Sequence, residues 1–411
     1  MPTDSFANAE QLEEDIEPSV GIEALDTNGG NDYPIILVHG LGGFGRDEFG
    51  SIIKMWGGIH DIEQKLRDRG YTVYTATVGP VSSNWDRAVE LYYQIKGGTV
   101  DYGEAHADEF GHERYGRTFS GLYPEWGEIN PETGKPNKVH LIGHSMGGQT
   151  IRTLAQLLSE GDARERESSD DASPLFAENQ PWVHSALSIS TPHDGSTVSY
   201  LVNDVIPIIQ ELVIGAAIFA GNIDQNFYDF KLDHWGIEKR EGERFSQYVK
   251  RIRQSPGWKS KDTANWDLNP DGAYELNQWV KAQPDVYYFS VSNSQTHRRI
   301  LSGHHVPDPF MNPFLRPFSR YIGSKTFKRE HFTIDRTWWE NDGLVSMSAM
   351  KGPTIGSNDQ IVEYDGHPQK GVWNHLGTMK HFDHLDIIGW GVRDMTDWYE
   401  EIAAFLYTLP E

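Results

Sequence analysis

Val139-His-Leu-Ile-Gly-His-Ser-Met-Gly-Gly148 decides the fold. An unbroken apolar run enters Gly-x-Ser-x-Gly, and the apolar spacing of Gln149 to Leu158 that follows is helical. The reading is a buried strand, a tight turn and a helix. A serine on such a turn stands exposed on a strained backbone and needs small neighbours, which Gly143 and Gly147 supply. The helix start beside it offers a partial positive charge to a developing oxyanion, so the geometry suits acyl transfer. A bare Gly-x-Ser-x-Gly is often an ordinary turn; here the flanks match the strand and helix that the chemistry requires.

Working outward, Pro34 to Val38 is a second short apolar run, and it empties into His39-Gly-Leu-Gly-Gly43. Further strands are expected at Tyr71 to Val78, Lys138 to Ile142, His184 to Ser190 and Val286 to Ser292, with helices at Asp61 to Arg69, Gln149 to Leu158 and Glu275 to Ala282. Buried strands alternating with helices predict an α/β fold: a mostly parallel central sheet with helices on both faces and its site at the carboxyl ends of the strands. Pro131 to Pro136 reads as a turn and Glu160 to Ser173 as a surface loop. Residues 1–32 are acidic and aperiodic, a flexible leader, and 33–411 form a single domain with insertions.

The serine needs a base, and the base an orienting acid. In folds built on this elbow the acid and then the histidine follow the serine in the chain. There are 17 histidines. His384, in His381-Phe-Asp-His-Leu-Asp386, lies near the C-terminus as the order asks, but His297, His304, His305, His331, His367, His375 and His381 compete on sequence alone. Asp342, before a glycine and an apolar run, is the best acid, although its plain alternative is a turn aspartate. The oxyanion would be held by the backbone N–H groups of Met146 and Leu41.

Composition narrows the partners. The chain has 411 residues, with 36 Lys+Arg against 60 Asp+Glu and a net charge of −24. That field opposes nucleic acid and anionic membranes, so neutral ester droplets are the more natural surface. Absence of cysteine excludes disulfides, thiolate metal sites and cysteine nucleophiles. The longest apolar stretch, Leu212 to Gly221, is far short of the about 20 residues a transmembrane helix needs. The N-terminus has neither a basic region nor an apolar run, so it is not a signal peptide as written; the protein is either cytoplasmic or a mature secreted form, the second being what the family resemblance of the blocks that follow implies.

Several long blocks, Ser82-Ser-Asn-Trp-Asp-Arg87, Gly98-Thr-Val-Asp-Tyr-Gly103, Thr191-Pro-His-Asp-Gly195, Tyr228-Asp-Phe-Lys-Leu-Asp233 and Glu340-Asn-Asp-Gly343, resemble the bacterial family I.5 lipases, the thermoalkalophilic bacillary group with its staphylococcal relatives. Gly143 and Met146 in the elbow lean toward the staphylococcal pattern. The resemblance runs from Tyr33 onward and implies an α/β-hydrolase fold, a Ser145–Asp342–His384 triad and oxyanion donors at Leu41 and Met146. It also implies a structural zinc, whose ligands fall at Asp86, His106, His112 and Asp262. Two oxygens and two imidazole nitrogens suit closed tetrahedral zinc. A calcium loop is implied after the histidine, with Asp386 as first carboxylate and a carbonyl near Phe310; the later Asp position holds Gly391, followed by Val392, with Asp394 the nearest substitute.

The apolar segment near residues 198–226 reads either as core helices or, by the resemblance, as a lid over an acyl cleft. The implied activity is that of a triacylglycerol lipase working through an acyl-enzyme. The rivals are an esterase or polyester hydrolase without interfacial activation, and a non-catalytic binding module on the same scaffold.

Overall fold

The computed structural model describes residues 22, 30–46, 48, 53–202, 204–219, 228–391 and 393–411. Its centre is a seven-stranded sheet. The sheet strands are β1 (Ile35–Val38), β2 (Val73–Ala76), β5 (Val139–His144), β6 (Val183–Ile189), β7 (Tyr287–Ser294), β8 (Ile361–Glu363) and β9 (Trp373–Lys380), in the order β8-β9-β7-β6-β5-β1-β2. Every pairing within it is parallel. A separate antiparallel pair, β3 (Gly98–Asp101) and β4 (Tyr115–Phe119), lies outside it.

A parallel sheet must be covered on both faces, and the period-2 alternation along β1 shows how. Ile35 and Leu37 join a core with helices α1 (Ile62–Asp68) and α6 (Thr396–Tyr407), through Ile62, Leu66, Tyr399 and Ile402. Ile36 and Val38 face the other way, toward α2 (Asn84–Lys96) and α4 (Met146–Glu160), through Ala88, Val89, Ile151 and Leu154. All four β1 residues are fully buried, each contributing about 1.5–3 kcal/mol of apolar burial. Two further helices matter below, α3 (Glu104–Phe110) between β3 and β4 and α5 (Ile206–Phe219) between β6 and β7.

The expected strands and helices are present, and the differences have physical reasons. The third expected helix starts earlier, at Pro270–Trp279, because Asn269 caps it by accepting from Asp271 N at 2.9 Å and proline occupies the first turn. The polar stretch 160–173 is not simply a loop: Asp162 accepts from Glu165 N at 2.9 Å and starts a helix, Ala163–Ser168. β8 and β9 carry no clean apolar pattern, being partly exposed and interrupted by Gly377, and sequence alone did not disclose them. Most of the expected leader lies outside the described residues, but the folded part starts before Tyr33. Asn31 N donates to Tyr407 O at 2.8 Å, and its side chain donates to Leu406 O and Leu409 O at 3.0 and 3.1 Å.

Candidate active site

At the carboxyl end of β5 the backbone turns sharply. Ser145 has φ 55° and ψ −130°, a conformation a residue with a side chain adopts only under constraint. The constraint is crowding. A Cβ on Gly147 would lie 2.2 Å from Val38 O, and one on Gly40 would lie 2.6 Å from Ser145 Cβ and 3.1 Å from Ser145 Oγ. Only bare backbone lets α4 and the loop after β1 close around the hydroxyl.

The structure brings the three expected residues together. Ser145 Oγ lies 2.9 Å from His384 Nε2, and His384 Nδ1 lies 2.6 Å from Asp342 Oδ2. With Nδ1–H donating to Asp342, Nε2 is left to accept the serine proton. The other Asp342 oxygen accepts from Leu344 N at 3.0 Å and Val345 N at 2.8 Å, and His384 N donates to Asp342 O at 2.9 Å. Asp342 and His384 are buried, so the pair sits in a medium where such bonds are strong. Asp342 reaches this place from the long segment after β7, held by Gln295 N donating to Asn341 O at 3.1 Å. The competing histidines are elsewhere: His375 pairs with Glu363 at 2.6 Å, His297 with Asp308 at 2.6 Å, and His331 stacks on Tyr274. His144 contacts His384 O through Nε2 at 3.0 Å; burial, reinforced by neighbouring His384, holds it well below the usual histidine range, so it donates as a neutral ring.

Leu41 lines the same cavity as Ser145 and His384, and Met146 opens α4 directly after the serine. One residue the sequence reading passed over ties these two positions together. Arg87 is fully buried and has no carboxylate within ion-pair distance among the described residues. Its Nη2 donates to His39 O, Nη1 to Gly79 O at 2.8 Å, and Nε to Thr150 Oγ1 at 2.8 Å. Thr150 Oγ1 in turn lies 3.1 Å from Met146 O, and Gly42 N donates to Pro80 O at 2.9 Å. One guanidinium thus spans the loop carrying Leu41 and the helix carrying Met146. Burial pulls it down to about 10, which leaves it cationic at neutral pH.

The cavity over Ser145 is apolar and holds about 70 Å³. Val198, Val202, Val205, Ile208 and Leu212 form one wall, the last two from α5; Met55, Leu385, Ile388 and Trp390 form the other. Residues 220–226 of the expected lid lie outside the described residues.

The four residues expected to hold a metal also converge. Ligand atoms of Asp86, His106, His112 and Asp262 all lie within 4.8 Å of one another. His106 Nε2 is 3.2 Å from Asp86 Oδ1 and from Asp262 Oδ1, and His112 Nε2 is 3.4 Å from Asp262 Oδ2. Yet these buried atoms have no hydrogen-bond partner among the described residues, although they lie this close together. A tetrahedron with bonds of about 2.0 Å has edges of about 3.3 Å, so the spacing fits a closed zinc shell. The supporting contacts are equally specific. His234 Nε2 holds Asp86 Oδ2 at 3.0 Å, leaving Oδ1 free; His112 Nδ1 donates to Glu113 O at 2.9 Å; and buried Glu165 accepts from Ala105 N and His106 N at 3.0 and 2.8 Å, fixing α3. His234 directly follows a quoted block, and Glu165 sits in the stretch read as a loop, so neither carried a readable signal.

The calcium positions are not gathered in this way. Asp386 Oδ1 packs 2.3 Å from where a Cβ on Gly391 would stand, while Asp394 turns to Lys65 at 2.8 Å and His60 at 3.2 Å. The Phe310 side chain is exposed, and it is Asn312 N that donates to Asp383 Oδ2, at 2.8 Å. Burial and the adjacent Asp383 carboxylate push Asp386 up to about 7. Val392 lies outside the described residues.

Residues 31–411 match the family model described as the lipase-like, C-terminal domain. The chain belongs to that family. It is 38% identical to a lipase of Staphylococcus epidermidis, over all of this chain and 58% of that protein, so it spans little more than half the length of the curated relative. Among solved structures, EstA from Clostridium botulinum superposes with a TM-score of 0.87 at 47% identity, covering 95% of this chain and 90% of that one. Lipase 1 from Pelosinus fermentans gives 0.85 at 50% identity, covering 93% and 100%. The sequence resemblance to staphylococcal-type lipases and the α/β-hydrolase architecture are borne out. Among the described residues no helix is long and apolar enough to cross a membrane.

Proposed function

We propose that the protein is a serine carboxylic-ester hydrolase acting on lipid esters, with Ser145 as nucleophile, His384 as base and Asp342 as its orienting acid. The observation that carries this reading is the unbroken hydrogen-bonded chain from Asp342 through His384 to Ser145 Oγ at the foot of an apolar cavity. His384 takes the serine proton as Oγ attacks the ester carbonyl, and the Leu41 and Met146 amides hold the oxyanion. His384 returns the proton to the leaving alcohol, and water then releases the acid by the same steps in reverse roles.

The cavity favours a lipase over an enzyme for small soluble esters. Its walls are aliphatic, and α5 contributes Ile208 and Leu212 to them, so movement of α5 would widen the cavity for a long acyl chain, the behaviour of a lid. Asp86, His106, His112 and Asp262 would hold zinc as a structural cross-link between α2, the β3–β4 excursion and the segment at residue 262; no catalytic step depends on it.

The test compares wild type with Ser145→Ala on p-nitrophenyl butyrate and on emulsified triolein, with fluorophosphonate labelling of the serine. Loss of both activities and of the label is expected. An S145A protein that keeps hydrolysing either ester sinks the proposal, and wild type active on the soluble ester but silent on the emulsion removes the lipase assignment.

A further inference from the structure

The carboxyl face carries a feature that ester hydrolysis does not explain. Directly after β7 the chain forms a hairpin, Thr296–Arg298 paired with His305–Pro307, whose tip presents Ile300 and Leu301 at 100% and 102% exposure. Phe310, just beyond it, is 86% exposed. Fully exposed adjacent aliphatics at a loop tip have no folding purpose, since they gain nothing from burial.

The charge around them is opposite to that of the molecule. Residues 297–329 contain seven basic residues and one acid, Asp308, in a chain of net charge −24. Arg298, Arg299, Arg320, Lys325, Lys328 and Arg329 are exposed. The segment packs against the cavity's wall. His305 N donates to Gly323 O at 2.9 Å, tying the hairpin to helix Arg316–Ile322. Ile322, Phe314 and Phe318 then pack with Val198, Ile208 and Leu212, and Arg329 lies over the Tyr200 ring at 4.4 Å.

We propose that this hairpin and its basic surround are the face with which the protein docks on an ester–water interface carrying fatty-acid carboxylates, with Ile300 and Leu301 inserted and the arginines paired to the carboxylates. The inference rests on the proposed ester hydrolysis, which itself releases such carboxylates into the surface it acts on. It revises the expectation, drawn from net charge, that neutral droplets are the more natural surface: beyond a screening length of roughly 8 Å the local patch, not the total, sets the field at contact. Docking here brings α5 and the cavity mouth to the lipid.

The experiment measures adsorption to triolein droplets with and without oleate, for wild type, I300S/L301S and R298Q/R299Q, beside hydrolysis of p-nitrophenyl butyrate in solution. Each basic group near an anionic surface is worth roughly a factor of five, so R298Q/R299Q is expected to weaken adsorption to oleate-bearing droplets about thirtyfold and to lessen its salt dependence. I300S/L301S is expected to weaken adsorption to both droplets about tenfold. The soluble-ester rates should stay within twofold of wild type, because none of these residues touches the cavity. Unchanged adsorption by I300S/L301S overturns the proposal. So does binding to phosphatidylglycerol vesicles but not to oleate-bearing droplets, or the serine variant converting a dimer to monomer, which would assign the tip to a second copy. If S145A abolishes nothing while adsorption still follows the hairpin, the hydrolase reading fails and the docking face stands.

Discussion

Replacing Arg87 with methionine removes the guanidinium that spans the two proposed oxyanion positions while keeping a side chain of similar reach. Three bonds are lost, to His39 O, Gly79 O and Thr150 Oγ1. Charged hydrogen bonds contribute about 1.5–3 kcal/mol each, so the gross loss is about 5–9 kcal/mol. Against it stands relief of several kcal/mol from no longer burying a cation without a carboxylate partner. The net destabilisation should be about 1–3 kcal/mol, and the protein should still fold. The kinetic effect is larger in proportion. Deleting one oxyanion donor outright costs about a hundred- to a thousandfold in kcat. Here the donors are displaced rather than deleted, so kcat should fall about ten- to a hundredfold.

The assay is a kcat and KM comparison on a soluble ester, with affinity for a boronic acid that mimics the tetrahedral intermediate. KM should stay within twofold, boronate affinity should fall with kcat, and the pH midpoint of kcat/KM should not move, because His384 is untouched. Arg87→Lys, able to restore some of the bonds, should recover part of the loss. Metal content should be unchanged, which separates this effect from damage to neighbouring Asp86. A folded R87M variant with kcat within twofold of wild type, or one whose boronate affinity is intact, refutes the reasoning.

Two further outcomes follow from buried groups away from the serine. Protein purified without added metal should contain about one zinc per chain, and chelation or Asp262→Asn should remove it and lower stability by about 4 kcal/mol, the value for a metal at a thousand times its Kd; metal-free protein with unaltered thermal unfolding would contradict the site. His184 is held at about 3, first by burial and then by Lys138 and Lys370, against about 6.5 when unfolded. The unfolded chain therefore binds the proton first, and stability falls as pH drops below about 6.5. Since His184 rests against Tyr33 and Tyr287 at 5.1 and 5.5 Å, His184→Phe should keep the packing and shrink the stability difference between pH 7.5 and pH 5 by about 2 kcal/mol in urea unfolding.

How much of this was legible in the amino-acid order divides along physical lines. Local sequence determined the elbow, because the strand, the glycines and the helix that strain Ser145 are consecutive in the chain. It determined the sheet's inner strands too, since burial on both faces leaves an unbroken apolar run such as Ile35–Val38. The edge strand β8 and its half-exposed neighbour β9 left no such run. Choosing His384 and Asp342 among their rivals required resemblance, because a hydrogen bond between residues 239 positions apart has no local signature. Only the tertiary structure decided which groups serve several elements at once. Arg87 joins two loops and α4, His234 frees one oxygen of Asp86, and Glu165 anchors α3 from within a polar stretch. It alone also placed the basic stretch 297–329 of a strongly acidic chain against the wall of the cavity, because net charge sums over the chain whereas a field at a surface depends on where each charge is placed.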